Sequence, residues 1–203
     1  MEAQTVFIVD DDAAVRDSIR ELAESVGLRA ECYESGQAFL DNFQPQRFGC
    51  LVLDVRMAGM GGLVLQEKLN ERRAGIPVIM ITGHGDVPMA VRALQAGAVD
   101  FVQKPYRDQL LLDSINNALS IDAIARRSRA GKDKRDRQLA ALTKREREVL
   151  DKLLTGSVSK QIARELGISS RTVEAHRQHL LRKLEVGSVK ELMLHRVVRD
   201  RGE

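Results

Sequence analysis

The sequence predicts an α/β domain with a doubly wound, five-stranded parallel sheet, followed by a smaller all-α domain of four helices. Short apolar runs alternate with helical stripes over the first 120 residues, and only helical patterns follow Leu142. The charge also changes sign along the chain. Residues 1–121 contain 11 basic and 17 acidic side chains, a net charge of −6, whereas residues 122–203 contain 21 and 12, a net charge of +9. We expect domains at residues 1–121 and 141–203, joined at residues 122–140 by a basic linker that could be partly helical.

Four apolar, β-branched runs and one weaker pattern, near Arg29–Tyr33, predict the strands of the first domain. They lie at Val6–Val9, Arg29–Tyr33, Cys50–Leu53, Val78–Ile81 and Val99–Val102. Helical segments separate and follow them, at Val15/Ile19/Leu22/Val26, Gly36–Asn42, Leu65/Leu69, Val87/Val91/Leu94 and Leu111/Ile115/Leu119. Strands that are apolar throughout need helices on both faces, which is why we expect a parallel sheet.

Apolar runs, the N-terminal residues and the cysteines indicate where the protein is located and which kinds of site it lacks. There is no run of about 18 apolar residues, so we expect no membrane span. The N-terminus lacks the basic segment and apolar core of a signal peptide, which favours a cytoplasmic location. Cys32 and Cys50 are the two cysteines, and we expect reduced thiols rather than a disulfide or a zinc site. The basic linker, which Gly131 interrupts, could be a solvated hinge or could contact DNA phosphates.

The polar side chains that could bind a ligand or react with one follow the ends of the predicted strands. They are Asp10, Asp11 and Asp12 after the first strand, Asp54 after the third, Thr82 after the fourth and Lys104 at the end of the fifth. The carboxyl ends of parallel strands meet at one edge of a sheet, where ligands bind in open α/β folds. We therefore expect one acidic pocket at this edge.

These residue types indicate phosphoryl chemistry. Crowded carboxylates repel one another unless a cation binds among them, and oxygen ligands favour a hard ion such as Mg²⁺ or Mn²⁺. Such an ion can draw in a phosphate group, and a carboxylate can then form an acyl phosphate. Lys104 would supply a positive charge to a phosphoryl oxygen, and Thr82 a hydrogen bond. The alternative is structural, with Asp10–Asp12 as turn residues and Lys104 as a surface charge.

Four segments within residues 4–120 resemble the receiver domain of bacterial response regulators. They are Val-Asp-Asp-Asp at 9–12, Leu-Asp-Val-Arg-Met at 53–57, Ile-Thr-Gly-His-Gly-Asp at 81–86 and Gln-Lys-Pro at 103–105. The stretch from 82 to 104 is similar, more narrowly, to the FixJ group of these regulators. The resemblance implies a flavodoxin-like fold and a cis bond between Lys104 and Pro105.

The same resemblance implies roles for the acidic residues. Asp54 would be the phosphoacceptor. The metal would be held by Asp10, Asp11, Asp54 and the main-chain carbonyl of Arg56. Asp12 lies one place beyond the acidic pair, so its role stays open. Ala58 departs from the family, in which proline is usual at this place. A more flexible loop after Asp54 could follow, which would change the lifetime of the phosphoryl group or the fit to a partner. The assignment of Asp54 as the acceptor is not affected.

A switch and a dimer surface are also implied by the resemblance. Phosphate would draw Thr82 towards the pocket, and Phe101 would turn inward to fill the space. The surface of residues 87–96 and 99–103 would then become a dimer interface. An ordinary core position in the fifth strand is the alternative for Phe101.

A phosphatase of the haloacid-dehalogenase type is an enzyme alternative, because Asp10-x-Asp12 after a strand also resembles its nucleophile motif. Such enzymes need a further acidic pair after the lysine, and residues 105–108, Pro-Tyr-Arg-Asp, offer none at a strand end. No segment is available for a substrate cap. We therefore expect no enzyme, but at most an acceptor that phosphorylates itself and slowly dephosphorylates itself.

Capping and glycine signals predict the four helices of the second domain. Thr143 and Glu146 form a capping box, and glycines at 156 and 167 follow the first two helices. The helices run from Thr143 to about Leu154, around Ile162–Leu166, from Arg171 (capped by Ser169 or Ser170) to about Leu184, and from Ser188 to about Val198.

The third of these helices has two faces at the helical period. Val173, Leu180 and Leu184 form the apolar face. The opposite face carries Arg171, Glu174, Ala175, Gln178 and Arg182. That mixture suits a helix in the major groove, since Gln can pair with adenine, Arg with guanine or phosphate, and Glu can accept from cytosine N4. The alternative is an ordinary exposed face on which Glu174 pairs with a nearby arginine.

Three segments of the second domain resemble the LuxR-type DNA-binding domain across residues 142–198. They are Leu-Thr-Lys-Arg-Glu-Arg-Glu-Val-Leu from 142, Lys-Gln-Ile-Ala-Arg-Glu-Leu-Gly from 160 and Arg-Thr-Val-Glu-Ala-His-Arg from 171. The resemblance implies base contacts from Glu174, Ala175 and Gln178, and phosphate contacts from Arg171, Thr172, Arg177 and Lys183. The last helix, with Val189, Leu192 and Met193, would help two copies dimerise.

The two resemblances together imply a regulator of transcription. A sensor histidine kinase would phosphorylate Asp54, which would promote a homodimer and sequence-specific binding to double-stranded promoter DNA. RNA polymerase is a further candidate partner. The rival hypothesis is a receiver that serves only as a phosphate sink or relay and whose DNA-binding activity is lost.

Overall fold

A computed structural model describes residues 4–83 and 87–197 of the chain. It divides into two compact units, the first ending at Arg127 and the second beginning at Ser128. His84, Gly85 and Asp86 lie outside the described residues, as does Val198. Within the described part, no helix is both long and apolar enough to cross a membrane.

The first unit contains the predicted five-stranded sheet. Its strands are β1 (Thr5–Val9), β2 (Arg29–Tyr33), β3 (Gly49–Asp54), β4 (Val78–Thr82) and β5 (Asp100–Gln103). They pair in the order β2-β1-β3-β4-β5, and every pair is parallel. The strand order reverses between β1 and β3, so a crevice opens beyond their carboxyl ends. The prediction of a doubly wound parallel sheet is confirmed.

Five helices cover the two faces of this sheet. They are α1 (Ala13–Ser25), α2 (Gly36–Asn42), α3 (Gly62–Glu71), α4 (Val87–Gln95) and α5 (Asp108–Ala140). Alternate strand residues enter two separate cores. One contains Phe7 and Met80 with α2, α3 and α4, and the other contains Ile8 and Ile79 with α1 and α5. The apolar runs of β1, β3 and β4 are continuous because these strands are buried on both faces.

Helix α4 packs differently from the prediction. The sequence pattern placed Val91 and Leu94 on its apolar stripe, but these side chains are 44% and 47% exposed. Ala93 is fully buried in their place. Two amides of α3 hold this helix, since Gln66 Nε2 donates to the carbonyl of Ala93 at 3.2 Å and Asn70 Nδ2 to that of Ala96 at 2.7 Å. The small alanine therefore faces the core of the first unit, and the larger apolar side chains of Val91 and Leu94 face solvent.

Helix α5 is longer than predicted. It continues through Gly131 to Ala140, so the whole basic segment 122–140 is helical. Its residues up to 127 also belong to the first unit, six positions beyond the boundary that the charge pattern indicated.

Asp122 and Arg126 attach this part of α5 to the loop before β3. The Asp122 carboxylate is buried, accepts a hydrogen bond from the Gly49 amide at 2.9 Å, and pairs with Arg126 Nε at 2.8 Å. The Arg126 guanidinium also donates to three consecutive carbonyl oxygens, at residues 45–47, and covers the Phe48 ring. We call this set the Asp122 anchor.

The helices of the second unit follow the predicted signals. They are α6 (Lys144–Leu154), α7 (Ser159–Leu166), α8 (Ser170–Lys183) and α9 (Val189–Val197). Both halves of the capping box between Thr143 and Glu146 form, and Ser169 caps α8. Gly167 adopts the left-handed conformation between α7 and α8, which other residues rarely tolerate. The prediction of an all-helical second domain is confirmed for the described residues.

Candidate functional site

Asp54 and Lys104 meet at the carboxyl edge of the sheet. Asp54 ends β3, and Lys104 follows β5 directly. Lys104 Nζ lies 2.8 Å from Asp54 Oδ1 and 2.7 Å from Asp10 Oδ2. The Asp10 and Asp54 side chains are only 1% and 6% exposed, so one ammonium group compensates two buried carboxylates. The Lys104–Pro105 bond is cis, as the resemblance implies.

The ionisation of this pair follows from burial and contact. Burial raises the pKa of Asp54, because a carboxylate loses hydration there, and the hydrogen bond from Lys104 acts in the opposite direction. Burial also disfavours the charged form of Lys104, but its hydrogen bonds to Asp10 and Asp54 outweigh that effect and raise its pKa. The lysine therefore keeps its positive charge at neutral pH.

The three consecutive acids after β1 have three different environments. Asp10 is buried, and its Oδ1 accepts the Asp12 amide at 2.9 Å. Asp11 is exposed, and its Oδ2 accepts the amide of Ala58 at 2.9 Å. Asp12 caps α1 by accepting the amide of Ala14 at 2.9 Å. The side chain of Asp12 therefore caps α1.

The loop after Asp54 is tied to the acids through its backbone. The Arg56 amide donates to Asp54 Oδ2 at 2.7 Å, and the Ala58 amide donates to Asp11. Gly62 closes the loop by donating to the carbonyl of Val55 at 3.0 Å. A Cβ atom at Gly62 would clash with the carbonyl oxygen of Asp54, so the close approach requires glycine.

Thr82 lies at the carboxyl edge beside Lys104, whereas Phe101 lies within β5. Thr82 is fully buried at the end of β4, and its carbonyl accepts the Lys104 amide at 2.8 Å. Phe101 is half-buried, pairs in register with Met80, and packs against the core shared with α2, α3 and α4. The structure thus brings the predicted residues of four strand ends to one edge.

The donor atoms at this edge suit a hydrated divalent cation. Among the side chains that the structure describes, no three acidic, histidine or cysteine groups lie close enough to hold a metal ion unaided. Magnesium does not need such a group, because it keeps several waters and takes one or two carboxylates. The oxygen atoms of Asp11 and Asp54 therefore fit magnesium better than an ion that needs a complete protein cage.

Helix α8 of the second unit has the two predicted faces. Val173 and Leu180 are fully buried, and Leu184 is buried at the end of the helix. The exposed side chains include Arg171, Thr172, Glu174, Ala175, Gln178 and Arg182, whereas Arg177 is half-buried. One side of α8 is therefore available to a ligand over most of its length.

Two of the predicted DNA contacts have partners within the protein. Lys183 Nζ donates to the buried carboxylate of Glu146 at 2.6 Å and to the carbonyl of Ala141 at 3.2 Å. Glu174 Oε1 accepts the hydroxyl of Ser159 at 2.5 Å and lies 3.6 Å from an Arg177 nitrogen. Lys183 thus fixes α8 to α6, while Glu174 stays exposed.

Sequence reasoning missed the partners that make these contacts. The capping box identified Glu146, but Lys183 lies 37 positions away and no local pattern links them. Asp122 and Arg126 have the helical spacing of an ion pair, which was a usable signal, but their contact with the loop at 45–49 is not visible in the sequence. No pattern in the sequence pointed to the contact between Ser159 and Glu174.

Two family models match the chain. The model described as the response regulator receiver domain matches residues 6–116, and the model described as bacterial regulatory proteins of the luxR family matches residues 140–195. The first covers the sheet with its acidic edge, and the second covers α6 to α8 and most of α9.

Relatives match over both units. The transcriptional regulatory protein TdiR of Thauera aromatica is 47% identical over 197 residues, which is 97% of this chain and 86% of TdiR. The transcriptional regulatory protein FixJ of Azorhizobium caulinodans is 43% identical, covering 95% of this chain and 91% of FixJ. The solved structure of the response regulator StyR is 44% identical with a TM-score of 0.91, covering 97% of this chain and 99% of StyR. Full-length FixJ from B. japonicum is 39% identical with a TM-score of 0.59, covering 95% of both chains.

The chain belongs to the response regulators that join a receiver domain to a LuxR-type DNA-binding domain, the group that includes FixJ, and it is a transcriptional regulator.

Proposed function

We propose that Asp54 is the phosphoacceptor, that a sensor histidine kinase supplies the phosphoryl group, and that phosphorylation promotes a receiver dimer and sequence-specific binding to promoter DNA. The observation that carries this proposal is the buried carboxylate of Asp54 at the end of β3, 2.8 Å from Lys104 Nζ. A nucleophile in this position has a positive charge beside it before any phosphate arrives.

The residues of the pocket divide the chemistry among them. An oxygen of Asp54 attacks phosphorus and forms an acyl phosphate, and the donor's leaving group departs with the electron pair of the broken bond. Lys104 pairs with a phosphoryl oxygen, and the Thr82 hydroxyl donates a hydrogen bond to another. Asp10, Asp11, Asp54 and the Arg56 carbonyl would hold Mg²⁺ or Mn²⁺, which neutralises negative charge on the phosphoryl oxygens.

The switch is proposed to connect this pocket to α4 and β5. Thr82 moves towards the phosphate, and Phe101, which is half-buried, turns into the space. The exposed apolar side chains of Val91 and Leu94 support a homodimer on this surface, since dimerisation would remove them from water.

The exposed face of α8 is proposed to read the major groove. Glu174, Ala175 and Gln178 face base edges, and Arg171, Thr172 and Arg177 lie near phosphates. The structure motivates one change from the sequence-based set: Lys183 acts by holding α8 against Glu146 rather than by a phosphate contact of its own. Pairing two such domains on a twofold site raises their effective concentration.

The partners and setting follow from this function. A sensor histidine kinase and double-stranded promoter DNA are the required partners, and RNA polymerase is a further one if the bound regulator activates transcription. The cytoplasm, where promoter DNA and phosphodonors are both present, is the proposed location.

Labelling by radioactive acetyl phosphate with Mg²⁺ tests the acceptor. The wild-type chain should become labelled, and Asp54→Asn should not. Asp12→Asn is the matched control, because it removes an acid at the same edge while an asparagine can still cap α1. Unchanged labelling of Asp54→Asn would exclude Asp54 as the acceptor.

A DNA mobility-shift assay tests whether phosphorylation strengthens sequence-specific DNA binding. The phosphorylated chain should bind selected double-stranded DNA more tightly than Asp54→Asn does, with an affinity that falls as salt rises. A phosphorylated chain that shifts no DNA sequence selectively would support the phosphate-sink hypothesis instead. Turnover of free phosphomonoesters would support the phosphatase, although the capping role of Asp12 argues against that enzyme.

A further inference from the structure

Ser159 and Glu174 connect the two helices of the helix-turn-helix, α7 and α8. Ser159 is the first residue of α7, and Glu174 lies in the second turn of α8. The Ser159 hydroxyl donates to Glu174 Oε1 at 2.5 Å. The Arg177 guanidinium approaches the same oxygen at 3.6 Å. Two donors on different helices therefore share one oxygen of this carboxylate.

The position of the serine is fixed by the packing beneath it. Ile162 of α7 and Val173 of α8 are fully buried in one hydrophobic cluster, and the left-handed Gly167 sets the turn between the helices. Ser159 itself is half-buried. Its hydroxyl does not cap α7, because the N-cap residue is Val158, which makes no side-chain capping bond. The hydroxyl is thus a donor on a rigid support, aimed at α8.

An exposed glutamate without such a donor would sample several rotamers, and holding it in one would cost entropy on binding. Its charge would also be unfavourable beside DNA phosphates. The Ser159 hydrogen bond restricts the side chain before DNA arrives, and Arg177 offsets part of its charge. Within the described residues, no hydrogen bond involves Glu174 Oε2, so this oxygen stays available as an acceptor.

We propose that Ser159 is a positioning residue that orients Glu174 so that α8 selects cytosine at one position of its DNA site. The N4 amino group of cytosine donates in the major groove, whereas guanine and thymine present acceptors there that would repel a carboxylate. Adenine also has a donor, but its neighbouring N7 acceptor disfavours a second carboxylate oxygen. This inference rests on the proposed function, because it needs Glu174 to face base edges.

The experiment uses the full chain, treated with acetyl phosphate and Mg²⁺, and a randomised double-stranded DNA library. Selection with the wild type and with Glu174→Ala identifies the base position whose preference depends on Glu174. At that position Ser159→Ala should lower the preference for cytosine about fivefold, the order expected for one base-edge contact. Affinity for unrelated DNA should not change. Ser157→Ala is the matched control in the preceding loop, and Ser159→Thr, which keeps a hydroxyl, should retain most of the preference.

A double-mutant cycle separates positioning from a general structural effect. In the Glu174→Ala background, Ser159→Ala should cause no further loss of cytosine preference. An equal loss in both backgrounds, or an unchanged preference in Ser159→Ala alone, would overturn the role of Ser159. A wild-type preference that Glu174→Ala leaves intact would instead contradict the proposed base contact of Glu174. The two failures are therefore distinguishable.

Discussion

The ammonium group of Lys183, the last residue of α8, donates to the buried carboxylate of Glu146 at 2.6 Å. The same carboxylate accepts the amide and the hydroxyl of Thr143 at 2.8 and 3.0 Å. Burial alone would raise the pKa of Glu146, but these bonds outweigh it and lower the pKa to about 2. One acid thus caps α6 and fixes the C-terminal end of α8.

Glu146→Gln should destabilise the second unit by about 1.5–3 kcal/mol, because the buried carboxylate becomes a neutral amide and the ammonium group of Lys183 loses its counter-charge. Hydrogen exchange should accelerate in α6 and in the last turn of α8. The control is Glu148→Gln on the same helix, whose ion pair with Arg145 is partly exposed and should contribute less than about 1 kcal/mol. Equal effects of the two substitutions would contradict a special role for Glu146.

The pH dependence of stability should report the same carboxylate. Its folded pKa of about 2 lies below the ordinary value of 4.5. Its contribution is therefore complete above about pH 4.5 and is lost as the pH falls towards about 2. Urea titrations should show the stability difference between wild type and Glu146→Gln shrinking over that range. A difference that stays constant would argue against the lowered pKa.

Ala58→Pro should strengthen magnesium binding by about twofold to tenfold, the value of one ordinary hydrogen bond. Proline has no amide hydrogen, so the bond from residue 58 to Asp11 cannot form and the carboxylate is released. Isothermal calorimetry with Mg²⁺ alone measures the change. Ala58→Gly keeps the amide and should bind magnesium like the wild type; a gain in the glycine variant as large as in the proline variant would point to loop flexibility instead.

Gln66→Met should change the free energy of unfolding by less than about 1 kcal/mol, although Gln66 is buried. The substitution removes the bond to the Ala93 carbonyl, which keeps a second bond from the Ala98 amide at 3.0 Å. It also removes Gln66 Oε1, the one buried side-chain oxygen or nitrogen without a partner among the described residues. Thermal unfolding compares it with Gln66→Glu, which would bury a charge and should be far more destabilising. A large loss for methionine would show that the oxygen has a partner such as water.

Asp122→Ala should destabilise the first unit by about 3–5 kcal/mol, because it leaves the Arg126 cation and the Gly49 amide without their partner. Hydrogen exchange of the Gly49 amide should accelerate more than that of neighbouring strand amides. Asp113→Ala, an exposed acid on the same helix, is the control and should stay within about 0.5 kcal/mol of wild type. Unchanged exchange at Gly49 would contradict the anchor.

The sheet and its acidic edge were predictable because strand residues buried on both faces leave an uninterrupted apolar run. The charged residues that interrupt such runs then mark the strand ends, as Asp10 and Asp54 do. The exposed stripe of α4 was not predictable in the same way. Period alone identifies an apolar face, but it does not say whether Ala93 or Leu94 fits the space against α3.

The length of α5 shows a second limit of prediction from local sequence patterns. A polar, basic segment with a glycine is typical of a linker, but arginine and lysine are also good helix formers. The Asp122 anchor depends on partners more than 70 positions apart in the chain. Contacts of that kind, like the one between Lys183 and Glu146, depend on the fold and leave no local pattern.

A buried acid lies at each end of β3: Asp122 of α5 accepts the amide of the first residue, Gly49, and Asp54 is the last residue. The two acids have different counter-ions. The Gly49 amide at one end is held by Asp122, which is paired with an arginine, a planar cation that stays charged. At the other end Asp54 is paired with Lys104, a point charge on a flexible stem that can follow a new anion as readily as the old one. A change of charge at Asp54 would therefore be met by a mobile counter-ion, whereas the contact at Gly49 involves neither Asp54 nor Lys104.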